Sequence, residues 1–404
     1  MRAHSFWSKL AASLTKDRPF DRKAATYAAL FLMLAYMLLL LIPTLASWSE
    51  KIATGRQPEF GTDFLSFYAA SALALAGQPA DVYNQALHLA AQRSVFHSLD
   101  GYYAFYYPPM FLLLCAPLAL APFYAALAAW LGVTFAACFA ALRRWAPTIG
   151  AKESLLPVVA FPAFMMNVFH GQNAFLTTAL LAGGLLALER RPILAGALFG
   201  ALVFKPHFGL LIPLLLLIIG NWRAIVAAGA SALAFMLASL ALFGAGVWRG
   251  YFAITPLAQK ALDENQAGDE KMQSVFAMMR IMGAPVNEAY AAQALAALIV
   301  CVVLIYASRR TKCIRSLGAL MVTGVLLTTP FMLRYDLMLL AIPLLWLADE
   351  AAKTGFLRGE KAIAGAAFLL PLVPIAVAMV TYVLLAPLVI AALFAVQAQR
   401  ILRS

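Results

Sequence analysis

Charge is what this sequence has least of. Only 12% of its 404 residues are Asp, Glu, Lys or Arg, about half the share of a soluble domain, which excludes a water-soluble globule with a charged surface. Acidic residues are the scarcer sign, 18 against 30 basic ones, for a formal net charge of +12. Cysteine is nearly absent too. Cys115, Cys138, Cys301 and Cys313 are scattered, with no C-x-x-C pair, and that spacing suggests neither a disulfide framework nor a zinc site. The chain also has no clean inverted repeat of the kind many transporters carry.

What remains is apolar: 64% of the chain is hydrophobic. Apolar runs recur from Ala24 to Val396, many near the roughly 20 residues that cross a hydrocarbon core of about 30 Å as a helix. In lipid each run must satisfy its own backbone polar groups. The expected fold is therefore all-α, a polytopic integral membrane protein of about twelve spans forming a single transmembrane domain over 1–404. A basic tail, residues 1–23, precedes the run Ala24–Ala46 and marks a retained first span with a cytoplasmic amino terminus. The first outer loop is then 47–106. It holds two interfacial helices, Asp63–Ala76 and Asp81–His97, separated by a G-Q-P-A turn, and ends in an aromatic cluster that includes Tyr107. Leu155–Phe169, interrupted by Pro157 and Pro162, reads as a re-entrant segment. Ala224–Phe243 spans, a second outer loop covers 244–287, and the basic stretch Ser308–Arg315 is cytoplasmic. The positive charge is thus topological, and no nucleic-acid partner is expected.

Charged and amide side chains within such a sequence are costly and mark function or pairing. Asp63, in F-G-T-D-F, heads a helix, either as its cap or as a catalytic carboxylate. Lys205, in F-K-P-H, needs an anionic partner or water unless it snorkels to the interface; His207 beside it is a second polar contact. Arg334 and Asp336, in L-R-Y-D, form a local ion pair or serve a ligand. His170, Gln172 and Asn173, in H-G-Q-N-A, offer imidazole and amide hydrogen bonds, or a helix break at Gly171 capped by Asn173. Tyr68 and Tyr107 add aromatic contacts, and Gln273 and Arg280 adjoin an amphipathic stretch able to close over a site. One carboxylate with several cations suits inverting glycosyl transfer, in which a base deprotonates the acceptor hydroxyl and fixed positive charge stabilises the departing phosphate. No residues have metal-ligand spacing; a divalent ion at Asp63 would need partners such as Glu59 or Asp81.

The order of G-T-D-F-x-x-F-Y-A-A-S-x-L-x-L-x-G-Q-P-A-D-V-Y (61–83), F-Y-Y-P-P-M-F (105–111), G-Q-N-A-F-L-T-T-A-L-L-A-G-G (171–184) and A-G-A-L-F-G-A-L-V-F-K-P-H (195–207) resembles glycosyltransferase family 87. The resemblance implies the C-type glycosyltransferase fold, a polyprenyl-phosphate sugar donor with mannose as the best-known sugar, a glycan or glycolipid acceptor, and a site on the extracytoplasmic face of the plasma (inner) membrane. It implies Asp63 as the general base, and Gln172 and Lys205 match the family's G-Q and K-P positions. On the reading of the residues themselves, Lys205, Arg334 and His207 are the candidates for the donor phosphate, and Gln172, His170, Asn173, Tyr68, Tyr107, Gln273 and Arg280 those for substrate contact; no cofactor is expected, with a divalent metal left open. His207 departs from the family pattern, which often has a small or apolar residue there. The competing expectation is a transporter or flippase of a lipid-linked or small polar solute, which would also bury Lys205 and Arg334.

Overall fold

The structure is a computed structural model describing residues 30–36, 38, 42, 51, 54, 60–99, 101–264, 271–373 and 375–403. The expected tail, most of the expected first span and Glu59 lie outside the described residues. Among those described, every named element is a helix, and the one extended pairing is an isolated antiparallel bridge between Met272 and Leu333.

Proline sets where the apolar sequence breaks. A residue preceding proline is pushed out of the helical region, and Ala121, Phe161 and Lys205 each leave helical geometry before Pro122, Pro162 and Pro206. The segment expected to form the first outer loop contributes α1 (Phe64–Leu75), a 3-10 turn (Pro79–Tyr83) and α2 (Gln85–Val95). The expected helix from Asp81 is thereby corrected: it starts only after Asn84, whose side chain accepts from the Ala86 and Leu87 amides. Next come α3 (Pro109–Cys115) and α4 (Phe123–Leu142). The expected re-entrant stretch is α5 (Ala151–Ala160) and α6 (Pro162–His170), bent by 64° at Phe161. Then follow α7 (Ala174–Ala187), α8 (Pro192–Gly200), two 3-10 turns flanking Lys205, and α9 (Ile212–Ile218). The long α10 (Trp222–Asp263) turns at Gly244, where φ is +75°. The chain continues through α11 (Val275–Ile281), α12 (Val286–Arg310) and α13 (Ile314–Thr328). A 3-10 turn (Arg334–Leu340) leads into α14 (Ala341–Thr354), α15 (Glu360–Leu369), α16 (Ile375–Thr381) and α17 (Leu385–Arg403).

Four of these helices are long and apolar enough to cross a membrane: α4, most of α10, α12 and α17. The α5–α6 pair makes a fifth if counted as one broken span. The expectation of about twelve spans is not reached on length. Six other apolar helices run only 10–17 residues, about 15–26 Å at the helical rise, short of a hydrocarbon core of about 30 Å.

Two packing devices hold these short helices. Gly196 and Gly200, one turn apart on α8, lie directly against α10, where an added Cβ would stand 2.3 Å from the Ala224 carbonyl and 2.4 Å from that of Ala228. Small residues at this spacing let two helix backbones touch, a packing mode suited to lipid, where no hydrophobic force drives helices together. The second device is an aromatic cluster formed by Phe64 and Phe67 with Phe105, Phe111, Phe123, Trp130 and Phe204. Phe67 meets Phe111 at 5.0 Å between ring centroids, and Phe111 stacks on Phe204 at 5.2 Å. The head of α1 is thus packed against the segment that carries Lys205.

His88 of α2 fastens α1 from the other side. Its Nε2 donates to the Ser66 carbonyl (3.1 Å), which leaves Nδ1 to accept from Tyr102 Oη (3.2 Å) and Gln92 Nε2 (3.3 Å). Gln92 in turn brackets the Tyr103 backbone at both its N–H and its carbonyl. Burial pushes the His88 imidazole down to about 4, so the folded protein refuses a proton that the unfolded chain accepts near 6.5.

Two outcomes follow for stability. Gly196→Leu forces α8 from α10 and costs roughly 2 kcal/mol or more, whereas Gly229→Ala, with open space around it, is neutral or slightly stabilising; thermal unfolding of the detergent-solubilised protein compares them. The His88 contribution is complete above about pH 6.5 and declines as pH falls toward 4, by about 3 kcal/mol in all. The apparent Tm should therefore drop between pH 7 and pH 4.5 by more in the parent than in His88→Gln.

Candidate active site

Two glycine turns, 110 residues apart in sequence, are clasped together. Gly61 and Gly171 both take left-handed backbone, φ +78° and +68°, which only glycine adopts without strain. The Gly61 N–H donates to the Phe169 carbonyl (2.6 Å) and the Asp63 N–H to the His170 carbonyl (3.1 Å). Neither glycine has room for a side chain. A Cβ on Gly61 would stand 2.8 Å from Leu127 Cδ2, and one on Gly171 would stand 2.5 Å from Phe64 Cβ and 2.8 Å from Leu127 Cδ1. Leu127 of α4 is the floor under both turns.

This clasp sets the direction of Asp63. Its side chain makes no capping hydrogen bond to α1, and Thr62, the other candidate cap, instead places its hydroxyl 3.0 Å from His170 Nδ1. The partly buried Asp63 carboxylate accepts at Oδ2 from Gln172 Nε2 (2.8 Å). Among the described residues, no cation pairs with it and Oδ1 has no hydrogen-bond partner. Gln172 is 4% exposed, and its Oε1 accepts from Tyr107 Oη (3.3 Å) and from the Asn173 N–H (3.2 Å). The Asn173 carboxamide, fully buried beside the Tyr107 hydroxyl, aligns neither heteroatom with a hydrogen-bond partner among the described residues. It does not cap α7. That work falls to Asn167, whose Oδ1 accepts from the Ala174 N–H (3.1 Å) and whose Nδ2 donates to the Tyr335 carbonyl (3.0 Å).

Asn167 thereby ties the H-G-Q-N turn to L-R-Y-D, and Lys205 ties L-R-Y-D to F-K-P-H. Lys205 Nζ lies 2.7 Å from Asp336 Oδ1 in a pair 4% and 2% exposed, with the Phe208 and Tyr335 rings each 5.4 Å away. Asp336 Oδ2 also accepts from the Leu333 N–H (3.2 Å). The alternative of a local Arg334–Asp336 pair is corrected: Asp336 faces Lys205, and Arg334 donates to the Val373 carbonyl. Among the described residues no carboxylate pairs with Arg334. Tyr335 joins the halves, its ring 6.5 Å from that of His170 and within electrostatic reach of both Asp63 and Asp336. His207 sits beside Phe208 and Phe331 and, among the described residues, makes no hydrogen bond.

The remaining sequence candidates are held by other parts of the molecule. Tyr68 donates to the Ala121 carbonyl (2.9 Å), and Arg280 to the carbonyls of Ala284 and Asp263. Gln273 adjoins the L-R-Y-D turn through its backbone, its N–H reaching the Met332 carbonyl at 2.8 Å, while its side chain folds onto Met272. Among the described residues no three His, Cys, Asp or Glu side chains cluster. An apolar cavity of about 490 Å³ lies at the far end of α1, lined by Ala74, Gly77 and Pro79 with Leu113, Ala116, Leu242 and Phe243, roughly 18 Å along the helix from Asp63. Sequence reasoning missed Asn167 and Tyr335, and read Asp336 only as a neighbour of Arg334. The signal for Asn167 was its isolation in F-M-M-N-V-F, since a buried carboxamide needs partners.

A helical membrane protein that gathers a carboxylate, a buried lysine, amides and phenols from four separate turns has the organisation of a membrane-embedded enzyme rather than of a scaffold. The chain belongs to glycosyltransferase family 87, whose model matches residues 105–332, more than half of its length. It is thus a membrane glycosyltransferase. The matched stretch includes H-G-Q-N and F-K-P-H but ends short of Arg334 and begins after Asp63. No curated protein and no solved structure matches the chain.

The ion pair makes a stability test. Removing one partner of a buried pair strands the other charge and costs about 3–5 kcal/mol, whereas replacing both with apolar residues is often neutral. Asp336→Leu alone should therefore lower folded yield and Tm sharply, and Lys205→Met together with Asp336→Leu should restore most of the loss.

Proposed function

We propose that this glycosyltransferase moves a hexose, mannose foremost, from a polyprenyl-phosphate donor to a glycan or glycolipid acceptor on the extracytoplasmic face of the plasma membrane, with inversion at the anomeric carbon. The observation that carries this reading is Asp63: a partly buried carboxylate with one oxygen on a neutral amide and, among the described residues, no hydrogen-bond partner on the other and no cation paired with it. A carboxylate so placed is available to take a proton, and a positioned general base contributes on the order of 10²–10⁴ in rate. As the acceptor oxygen attacks the anomeric carbon, its proton passes to Asp63 and the bond from that carbon to the phosphate oxygen breaks. The electron pair leaves with polyprenyl phosphate. Lys205, Arg334 and His207 supply the positive or donor groups facing the leaving phosphate; for Lys205 this requires its ammonium to share itself between Asp336 and the phosphate, which three N–H donors allow. His170, whose carbonyl accepts from the Asp63 N–H, and Asn173 beside the Tyr107 hydroxyl are the candidate substrate contacts. The basic amino-terminal tail and the Ser308–Arg315 loop support the assignment of sidedness.

The test uses purified full-length protein in liposomes, supplied with labelled polyprenyl-phosphate mannose and candidate acceptors. Asp63→Asn should lower kcat by about 10²–10⁴ with the KM for donor little changed and the apparent Tm preserved. A folded Asp63→Asn as active as the parent overturns the base. Parent protein that releases no polyprenyl phosphate from any hexose donor overturns the donor class.

A further inference from the structure

Gln172 is spent on the protein itself. Its Oε1 already accepts twice, from the Tyr107 hydroxyl and the Asn173 N–H, which uses both lone pairs of an amide oxygen. Two donors at that end fix which way the carboxamide points, so the end facing Asp63 is the NH₂ group, in keeping with the 2.8 Å contact to a carboxylate oxygen. The backbone gives no slack either, because the Gln172 N–H is held by the Asn167 carbonyl (3.1 Å). Tyr107 is fixed in turn, its ring 4.3 Å from that of Phe111 and its carbonyl accepting from Tyr83 Oη (2.7 Å).

We infer that Gln172 is a positioning residue for the base: set by Tyr107, it holds Asp63 Oδ2 and leaves Oδ1 as the oxygen that receives the acceptor proton. This rests on the reading of Asp63 as base and replaces the expectation that Gln172 touches substrate. The arrangement has a chemical logic. A neutral amide directs the carboxylate without paying it off as a cation would, so one oxygen is anchored and the other keeps its basicity. A base of fixed orientation saves the rotational freedom that the reaction would otherwise have to remove. Tyr107 acts only through Gln172, because its hydroxyl hydrogen is donated to the Gln172 oxygen.

The experiment measures kcat and both KM values for Gln172→Leu, Tyr107→Phe and the double variant in liposomes, with the apparent Tm of each. A hydrogen bond to a charged group is worth enough to change a rate about 10- to 100-fold. Gln172→Leu should lower kcat by that much while the KM for donor and acceptor stays within about 2-fold. Tyr107→Phe should lower kcat by a smaller factor, and the double variant should match Gln172→Leu, since two residues in one relay do not add. A KM rise of tenfold or more with kcat retained makes Gln172 a substrate contact and overturns the inference. So does a double variant whose loss is the product of the two singles. If Gln172→Leu fails to accumulate, Gln172→Met, of nearly the same length, carries the same comparison, and Tyr107→Phe, which deletes one oxygen, tests it independently. Asp63→Asn run alongside separates the failures: full activity there sinks the base itself, whereas lost activity there with a raised KM in Gln172→Leu sinks only the positioning role.

Discussion

Two main-chain hydrogen bonds, from Gly61 to Phe169 and from Asp63 to His170, decide how the rest of this molecule can work. They join a loop near the start of the described chain to a helix break more than a hundred residues later, and they exist only because both turns carry glycine in left-handed backbone. Remove the clasp and Asp63 reverts to an ordinary residue at a helix head. With it, the carboxylate meets an amide whose own orientation is settled by a phenol and a backbone N–H. The two glycines supply the left-handed backbone and the close packing that give this carboxylate its direction.

The second organising feature is the balance of charge across the turns. L-R-Y-D contributes both signs, yet the aspartate looks toward F-K-P-H and the arginine toward the Val373 carbonyl. Lys205 and Asp336 cancel each other in a nearly dry environment between two aromatic rings, while Arg334 keeps its charge uncompensated by any described carboxylate. A buried pair of this kind contributes little net stability but enforces a geometry. Here the geometry brings the segment with Tyr335 against the helix that ends at His170.

Much of the architecture was legible in the sequence, and the limits were physical. The all-helical membrane class follows from scarce charge and long apolar runs, and the break at Gly171 was readable as a glycine between two helical patterns. Asp63, Gln172, Lys205 and Asp336 were visible as costly residues in apolar surroundings. Their partners were not, because Asp63–Gln172 and Lys205–Asp336 are joined across 109 and 131 positions, and local spacing says nothing about tertiary approach. It favoured the wrong pairing for Asp336, where the arginine two residues away was nearer in sequence than the lysine it meets. The number of spans was less legible for a related reason: proline and glycine breaks cut apolar sequence into helices of 10–17 residues, so that four or five of the described helices are long enough to span.

Leu127 touches this organisation at one more point. Its two methyl groups lie directly beneath Gly61 and Gly171, and it sits about one turn into α4, a helix long enough to cross a bilayer. Asp63 is therefore surveyed from a spanning helix, not from the loop that carries it. Depth in the bilayer becomes a property of the site: a membrane that thickens, thins or tilts α4 moves the carboxylate with it.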